Sequence, residues 1–359
     1  MKTSVTMLLL VFLFCISCSS ADVINDTEPP ESGIYFPPFG SSTWEARSLS
    51  DLGWNNNELQ PLLDYLEDQN TKSFMILHDG KIVVEAYMNG HDANKLWYWA
   101  SAGKTLTTAL SGIAQEEGLI DINTKVSDYL GTGWTSASLE KENLITCKHL
   151  LSMNSGLDDS TNGVEPEDLE YMADAGTRWA YHNVYKKMQD VLAEASNSTF
   201  KNYFNTKLRD KIGMTSTKGG WLQLNDFNVY WSDTRSMARF GLLIYANGKW
   251  NSEQIIPEAF LNEATNTSQD INKSYGYLWW LNGKSSFHLP GSQLKFSGAL
   301  VPNAPDDMFA ALGKNDQKIY VVPSKKLVVI RMGEAADSET FALSSFDNDL
   351  WEMINELID

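Results

Sequence analysis

The sequence predicts an α/β (α+β) protein: a discontinuous domain with an antiparallel sheet flanked by helices, plus an inserted all-helical domain. Three observations lead there. β-prone runs occur early, from Ser73 to Tyr87; helical spacing dominates from Ser101 to about Ala264; and β-prone runs return between Tyr275 and Arg331 before a last amphipathic segment. Strands at both ends with helices between them suggest one sheet built from both ends of the chain. The expected boundaries are a signal at 1–18, a tether and lead-in at 19–57, the α/β domain at 58–100 with 265–359, and the helical domain at 101–264.

Taken in order, Met1 and Lys2 precede an apolar run from Val5 to Ile16 that is too short to span a bilayer and reads as an export signal. The stretch Cys15 to Ser20 resembles a bacterial lipobox, with Cys18 as the lipid-bearing residue and Cys15 standing where leucine is usual. The expectation is an exported protein, a periplasmic or outer-membrane lipoprotein in a bacterium, that meets the membrane only through a lipid anchor. Up to Asn57 the chain is rich in Ser, Pro, Gly and acids, which suits a tether. Glu58 to Leu66 is a first helix, and Asp79-Gly80 divides two β-prone runs into a hairpin. An aromatic run, Trp97 to Trp99, then turns into a helix patterned by Leu106, Ala109, Leu110, Ile113 and Ala114. Thr146 caps another short helix. Further helices are expected at Val184 to Ala195, Phe200 to Lys211, Thr234 to Tyr245 and Pro257 to Glu263. Strands follow at Tyr275 to Leu281, Met308 to Leu312, Lys318 to Val322 and Leu327 to Arg331, and a helix from Phe346 to Leu357 closes the chain.

Composition narrows the function. With 359 residues, 43% of them hydrophobic, the chain can build a substantial core. A net charge of −18 argues against nucleic acid and anionic membrane surfaces as partners. Beyond the signal the chain has one cysteine, Cys147, so an exported fold would not rely on disulfides. His-Glu-x-x-His and Cys/His clusters of metal spacing are missing, and no metal or cofactor is expected. Gly-x-Ser-x-Gly is missing too, which disfavours an α/β-hydrolase triad.

Ser101 and Lys104 carry the chemical signal. Ser-x-x-Lys occurs four times, at Ser101/Lys104, Ser138/Lys141, Ser198/Lys201 and Ser292/Lys295, and only the first opens a long amphipathic helix. There the helix N-terminus favours developing negative charge, and a spacing of three brings the lysine within reach of the hydroxyl. A desolvated lysine can activate a serine. A plain serine N-cap followed by a solvated lysine would satisfy the same tetrad. Tyr-x-Asn also occurs four times, at Tyr87, Tyr181, Tyr203 and Tyr245, and only Tyr181 with Asn183 follows a loop signal and precedes a helix. Packing explains such a triplet as readily as catalysis does.

These pairs do not stand alone. With the runs Ile145 to Leu157, Gly176 to Tyr181, Ile212 to Thr217, Tyr275 to Trp280 and Gln317 to Pro323, the chain resembles the penicillin-recognising serine hydrolases from about Tyr35 to its C-terminus. That superfamily comprises class C β-lactamases, D-alanyl-D-alanine carboxypeptidases, β-lactamase-like esterases and, in overall layout, 6-aminohexanoate-dimer hydrolase. The resemblance implies a β-lactamase/transpeptidase-like fold and acyl transfer through an ester on Ser101, with Lys104 and Tyr181 sharing proton transfer and Asn183 orienting Lys104 and binding substrate. It also implies an oxyanion hole from the Ser101 N–H and a late-strand N–H. Where relatives carry Lys-Thr-Gly or His-x-Gly, this chain has Ala311, Leu312 and Gly313, which puts Lys314 N–H in the hole, or a donor further upstream near Ala310. Loss of the motif lysine favours a small ester or amide substrate. A β-lactamase or D-alanyl-D-alanine carboxypeptidase is the alternative, and a non-hydrolytic penicillin-binding-type sensor is a second. Lys314 is a candidate to replace the missing charge, although a lysine on a turn is as readily solvated. Oligomeric state is not legible.

Overall fold

The structure is a computed structural model that describes residues 33–40, 42–214, 219–224, 227–336 and 343–359; the predicted signal and Cys18 lie outside them. Ile34–Asp359 cluster as one unit. Helix α1 (Leu59–Asp68) buries Leu62 and Leu66 and leads into β1 (Thr71–His78) and β2 (Lys81–Tyr87). The connecting Asp79 and Gly80 both take positive φ, 47° and 81°, as a two-residue hairpin requires. Gly80 has a second reason to be glycine, because a Cβ there would lie 1.9 Å from the Tyr35 carbonyl oxygen.

After β3 (Trp97–Tyr98) come α2 (Lys104–Glu116), α3 (Tyr185–Ala195), the hairpin β4 (Gly220–Leu224) with β5 (Phe227–Ser232), and α4 (Thr234–Tyr245). The chain ends with β6 (Trp280–Leu281), β7 (Phe309–Gly313), β8 (Gln317–Val322), β9 (Leu327–Gly333) and α5 (Ser345–Ile358). The main sheet has the order β2-β1-β9-β8-β7-β6, all neighbours antiparallel. Within it β1 pairs with β9, so the two ends of the chain meet in one sheet, and the expected α/β (α+β) class with a helix-flanked antiparallel sheet is what the structure has.

Period-two alternation divides β8 and β9 between two faces. Ile319, Val328 and Ile330 pack under α4, where the bare Gly241 lets helix and sheet approach closely: a Cβ would fall 2.6 Å from Val328. The opposite face meets α5, with Tyr320 edge-on to Trp351, while α5 stacks Phe346 on Tyr65 of α1.

Three local expectations need correction. The run Tyr275 to Leu281 is a strand only at Trp280–Leu281; Leu278 turns left-handed at φ 59° and folds Tyr275 back against Trp280. The helix expected over 200–211 is α-helical only at Phe200–Phe204, widens to a π turn at Asn205–Arg209 and tightens at Asp210–Ile212. Strands β4 and β5 join β3 in a three-stranded sheet within the stretch read as helix and loop.

Candidate active site

The site begins where β3 stops. Trp99 is buried, its backbone N–H donates to Tyr230 O at 2.9 Å, and its indole donates to Ser232 Oγ at 2.8 Å, which anchors the chain to β5. The next residue, Ala100, sits at φ 47°, a left-handed conformation that alanine rarely adopts. A tight 3-10 turn, Ala100–Gly103, then runs into α2, so Ser101 lies one turn ahead of the α-helix proper.

Lys104, the first residue of α2, is 4% exposed, and its Nζ donates to Ser101 Oγ at 2.8 Å. The rings of Tyr181 and Tyr185 flank it at 5.0 and 4.7 Å. Burial drives its ammonium down to about 7, and the charge of Lys186 adds to the effect. Desolvation therefore outweighs the aromatic faces, and the lysine can hold or release a proton near neutrality.

Tyr181 follows a loop pinned by the Ala180 N–H to Met153 O bond at 2.9 Å. Its ring sits among Trp179, Tyr275 and Trp280. Burial pushes its phenol up to about 12, opposed by hydrogen bonds with Ser101 and Trp280. Ser101 thus touches both the lysine and the tyrosine. A cleft of about 480 Å³ opens over Ser101 and Lys104, lined among others by Tyr98, Asn183, Tyr185 and Lys314. Asn183 faces this cleft while its Nδ2 donates to Asn162 O at 3.0 Å.

Gly313 ends β7 directly against the serine turn: a Cβ there would lie 2.4 Å from Trp99 O and 3.0 Å from Ala102 N. Lys314 follows with an exposed side chain at the cleft. Among the described residues, neither the Ser101 nor the Lys314 N–H donates to a turn or loop carbonyl.

The repeated tetrads separate by burial. Lys141 is tied to Asp174 at 2.7 Å, and Lys201 and Lys295 are exposed. The other tyrosines each donate to a carboxylate: Tyr87 to Glu85, Tyr203 to Glu117 and Tyr245 to Asp79. Of these four tyrosines, Tyr181 is the one that meets a Ser/Lys pair. His182, beside it, is buried with its Nε2 unpartnered among the described residues, and burial lowers it to about 4. Sequence reasoning missed Tyr185, although it lies four residues beyond Tyr181 where α3 begins, and missed the strain at Ala100, which leaves no mark in composition.

The family described as Beta-lactamase matches residues 64–345. The chain belongs to the β-lactamase family. Among solved structures, it is similar to a Bacillus anthracis protein assigned as a 6-aminohexanoate-dimer hydrolase, with TM-score 0.67, 18% identity and 87% of each chain covered. A Bacteroides dorei protein assigned as a β-lactamase gives TM-score 0.66 at 14% identity, over 85% of this chain and 99% of that one. A hydrolase with promiscuous acyltransferase activity gives 0.64 at 12%, over 87% and 99%. Curated protein sequences provide no match. At these identities the structural likeness concerns the fold. Membership of the β-lactamase family carries with it a serine-hydrolase acyl-enzyme mechanism on a small ester or amide, without fixing which one.

Proposed function

We propose that this β-lactamase family member is an exported serine hydrolase that cleaves a small ester or amide through an acyl-enzyme on Ser101. The observation that carries the reading is the 2.8 Å contact between Ser101 Oγ and a lysine buried enough to be neutral near pH 7. Ser101 Oγ attacks the substrate carbonyl carbon as its proton passes to Lys104. The carbonyl oxygen gains the charge and is received by the N–H groups of Ser101 and Lys314. Collapse of the adduct breaks the bond to the leaving group, which takes a proton from Lys104 by way of the Tyr181 hydroxyl. Water then adds to the acyl ester, gives its proton to the same pair, and releases the acid with Ser101 restored. Asn183 lines the cleft as a substrate contact.

A missing motif lysine favours an uncharged substrate and an esterase or amidase over a β-lactam or peptidoglycan specialist. The names of the similar structures span a 6-aminohexanoate dimer, a β-lactamase and acyl transfer, in keeping with one mechanism serving several substrates. The exposed Lys314 at the cleft supports the alternative, since its ammonium would meet a substrate carboxylate.

The mature protein and its Ser101→Ala variant should be tested with a fluorophosphonate probe, a short-chain p-nitrophenyl ester, a small linear amide and a chromogenic cephalosporin. Ester or amide turnover and labelling, both lost in Ser101→Ala, are expected. Turnover surviving the substitution sinks the nucleophile assignment; cephalosporin hydrolysis without ester activity promotes the alternative, and labelling without turnover points to a sensor. Lipid attachment at Cys18 is tested by whether Cys18→Ala moves the protein from the membrane fraction to the soluble one.

A further inference from the structure

The turn bearing Lys314 is held from behind, outside the cleft. Asn315 and Asp316, in the tight turn between β7 and β8, both take positive φ, 59° and 58°, a left-handed conformation that Asn and Asp enter more readily than most side chains. Arg331 of β9, fully buried, braces this turn from the sheet. Its Nη1 donates to the carbonyls of Asn315 at 2.9 Å and Asp316 at 3.1 Å. Its Nη2 donates to Gln69 O and Glu334 O, both at 2.8 Å, and its Nε to Thr71 Oγ1 at 3.0 Å. Gln317, also buried, donates from Nε2 to Asn315 O at 2.7 Å, to Gly333 O at 2.6 Å and more weakly to Lys314 O at 3.3 Å, and it accepts from Gly333 N. On the cleft side, Asn315 Nδ2 donates to the Tyr98 hydroxyl at 2.7 Å.

We propose that Arg331 and Gln317 are positioning residues for the oxyanion hole: they hold the peptide units that follow Lys314 through the carbonyls of Lys314, Asn315 and Asp316, and with Gly313 held in β7 on the other side this fixes the Lys314 backbone and aims its N–H at the oxygen of the Ser101 adduct. The inference rests on the reading of Ser101 as nucleophile and Lys314 N–H as oxyanion donor. A donor on a turn helps only if its peptide plane cannot rotate as charge develops, and a misplacement of about 1 Å is worth about 10²-fold in rate. Ala311, Leu312 and Gly313 offer the turn no polar side chain, and on the cleft side the Asn315–Tyr98 bond helps to brace it. The clamp does the same from the sheet.

The test uses the full mature protein carrying Gln317→Leu or Arg331→Lys, with kcat and KM for the p-nitrophenyl ester, the inhibition constant of phenylboronic acid, the endpoint of fluorophosphonate labelling and the pH profile. Phenylboronic acid places a hydroxyl where the oxyanion forms. The expected result is a kcat lower by about 10²-fold, KM within about twofold, boronate affinity falling in step with kcat/KM, labelling still complete, and an unmoved pH midpoint. Arg331→Lys keeps the charge but loses the planar fan of donors, so it should not rescue. Should Arg331→Lys not fold, Gln317→Leu decides alone, because it retains every Arg331 contact. A folded Gln317→Leu protein with parental kcat overturns the proposal, and so does a lowered kcat with parental boronate affinity. Ester turnover retained in Ser101→Ala would instead remove the catalytic reading beneath it, a result separable from both.

Discussion

Lys104 shows how one side chain sets the chemistry. Because burial lowers its pKa to about 7, it accepts the Ser101 proton only above that pH, so kcat/KM for an ester should rise tenfold per pH unit on the acid side and level off above about 7. An acid limb that persists unchanged in Lys104→Met would remove Lys104 from the base role. Stability carries the opposite side of the same shift. The folded value lies below the unfolded one, so between about 7 and the ordinary lysine value the unfolded chain binds more protons, and stability increases as pH rises through that window. Lys104→Met should lose about 10³-fold or more in kcat while unfolding at a higher temperature than the parent at pH 7, a gain that disappears at strongly alkaline pH. Tyr181→Phe should lower kcat by about 10²-fold with little change in KM, since the hydroxyl acts on protons in flight rather than on bound substrate. Of this site the sequence displayed Ser101, Lys104 and Tyr181 through spacing, but each pattern came in four copies. Local context singled out one copy of each, the helix after Ser101 and the loop before Tyr181; the burial of Lys104 and its packing against Tyr181 stayed illegible because they join positions far apart in the chain.

At the scale of elements, the site is a meeting of the Ala100–Gly103 turn with the end of β7, and both sides are strained or crowded. Gly313→Ala would drive a methyl into Trp99 O, so it should destabilise the fold by about 1–3 kcal/mol and reduce kcat more than any effect on KM, as seen by chemical denaturation beside steady-state kinetics. Ala100→Gly should do the reverse for stability, adding about 1 kcal/mol by relieving the left-handed alanine, while kcat falls because the serine turn loosens. An Ala100→Gly protein of unchanged stability would show that the strain is absorbed elsewhere. Elements with strong local signals were legible: the Asp79-Gly80 hairpin, the helix over Thr234–Tyr245 and the strands around Val321 and Val329 all follow their patterns. Trp280 and Leu281 were expected to close a strand that began at Tyr275, but Leu278 takes a backbone conformation no propensity assigns to leucine. The hairpin β4–β5 escaped because its partner, β3, is only two residues long and lies far upstream.

Across the whole molecule, an acidic surface encloses a buried ionic knot that joins the sheet to the C-terminal helix. Lys318 on β8 is fully buried, with its Nζ 3.1 Å from Asp316 and 2.7 Å from Asp347. Asp347 also accepts from the Tyr320 hydroxyl at 2.6 Å, and Asp316 accepts from Ser344 Oγ at 2.9 Å. A lysine opening a strand reads in sequence as a solvated end, so nothing local announced it; the knot exists because α5 folds back over the sheet and carries Asp347 with it. Buried pairs of this kind add little net stability when intact, yet removing one partner strands the others in a medium that solvates them poorly. Lys318→Met leaves two carboxylates without their shared cation and should destabilise the protein by about 3–5 kcal/mol in urea denaturation. Adding Asp347→Asn to that variant should recover part of the loss, because one buried charge is then gone; additive losses would show that the two residues stabilise the fold independently. Asp316 also belongs to the turn behind Lys314, so the same variants report on how the far face of the sheet reaches the cleft. Lys318→Met should lower kcat in the protein that remains folded, and the double variant should regain kcat together with stability if the knot and the turn move as one body.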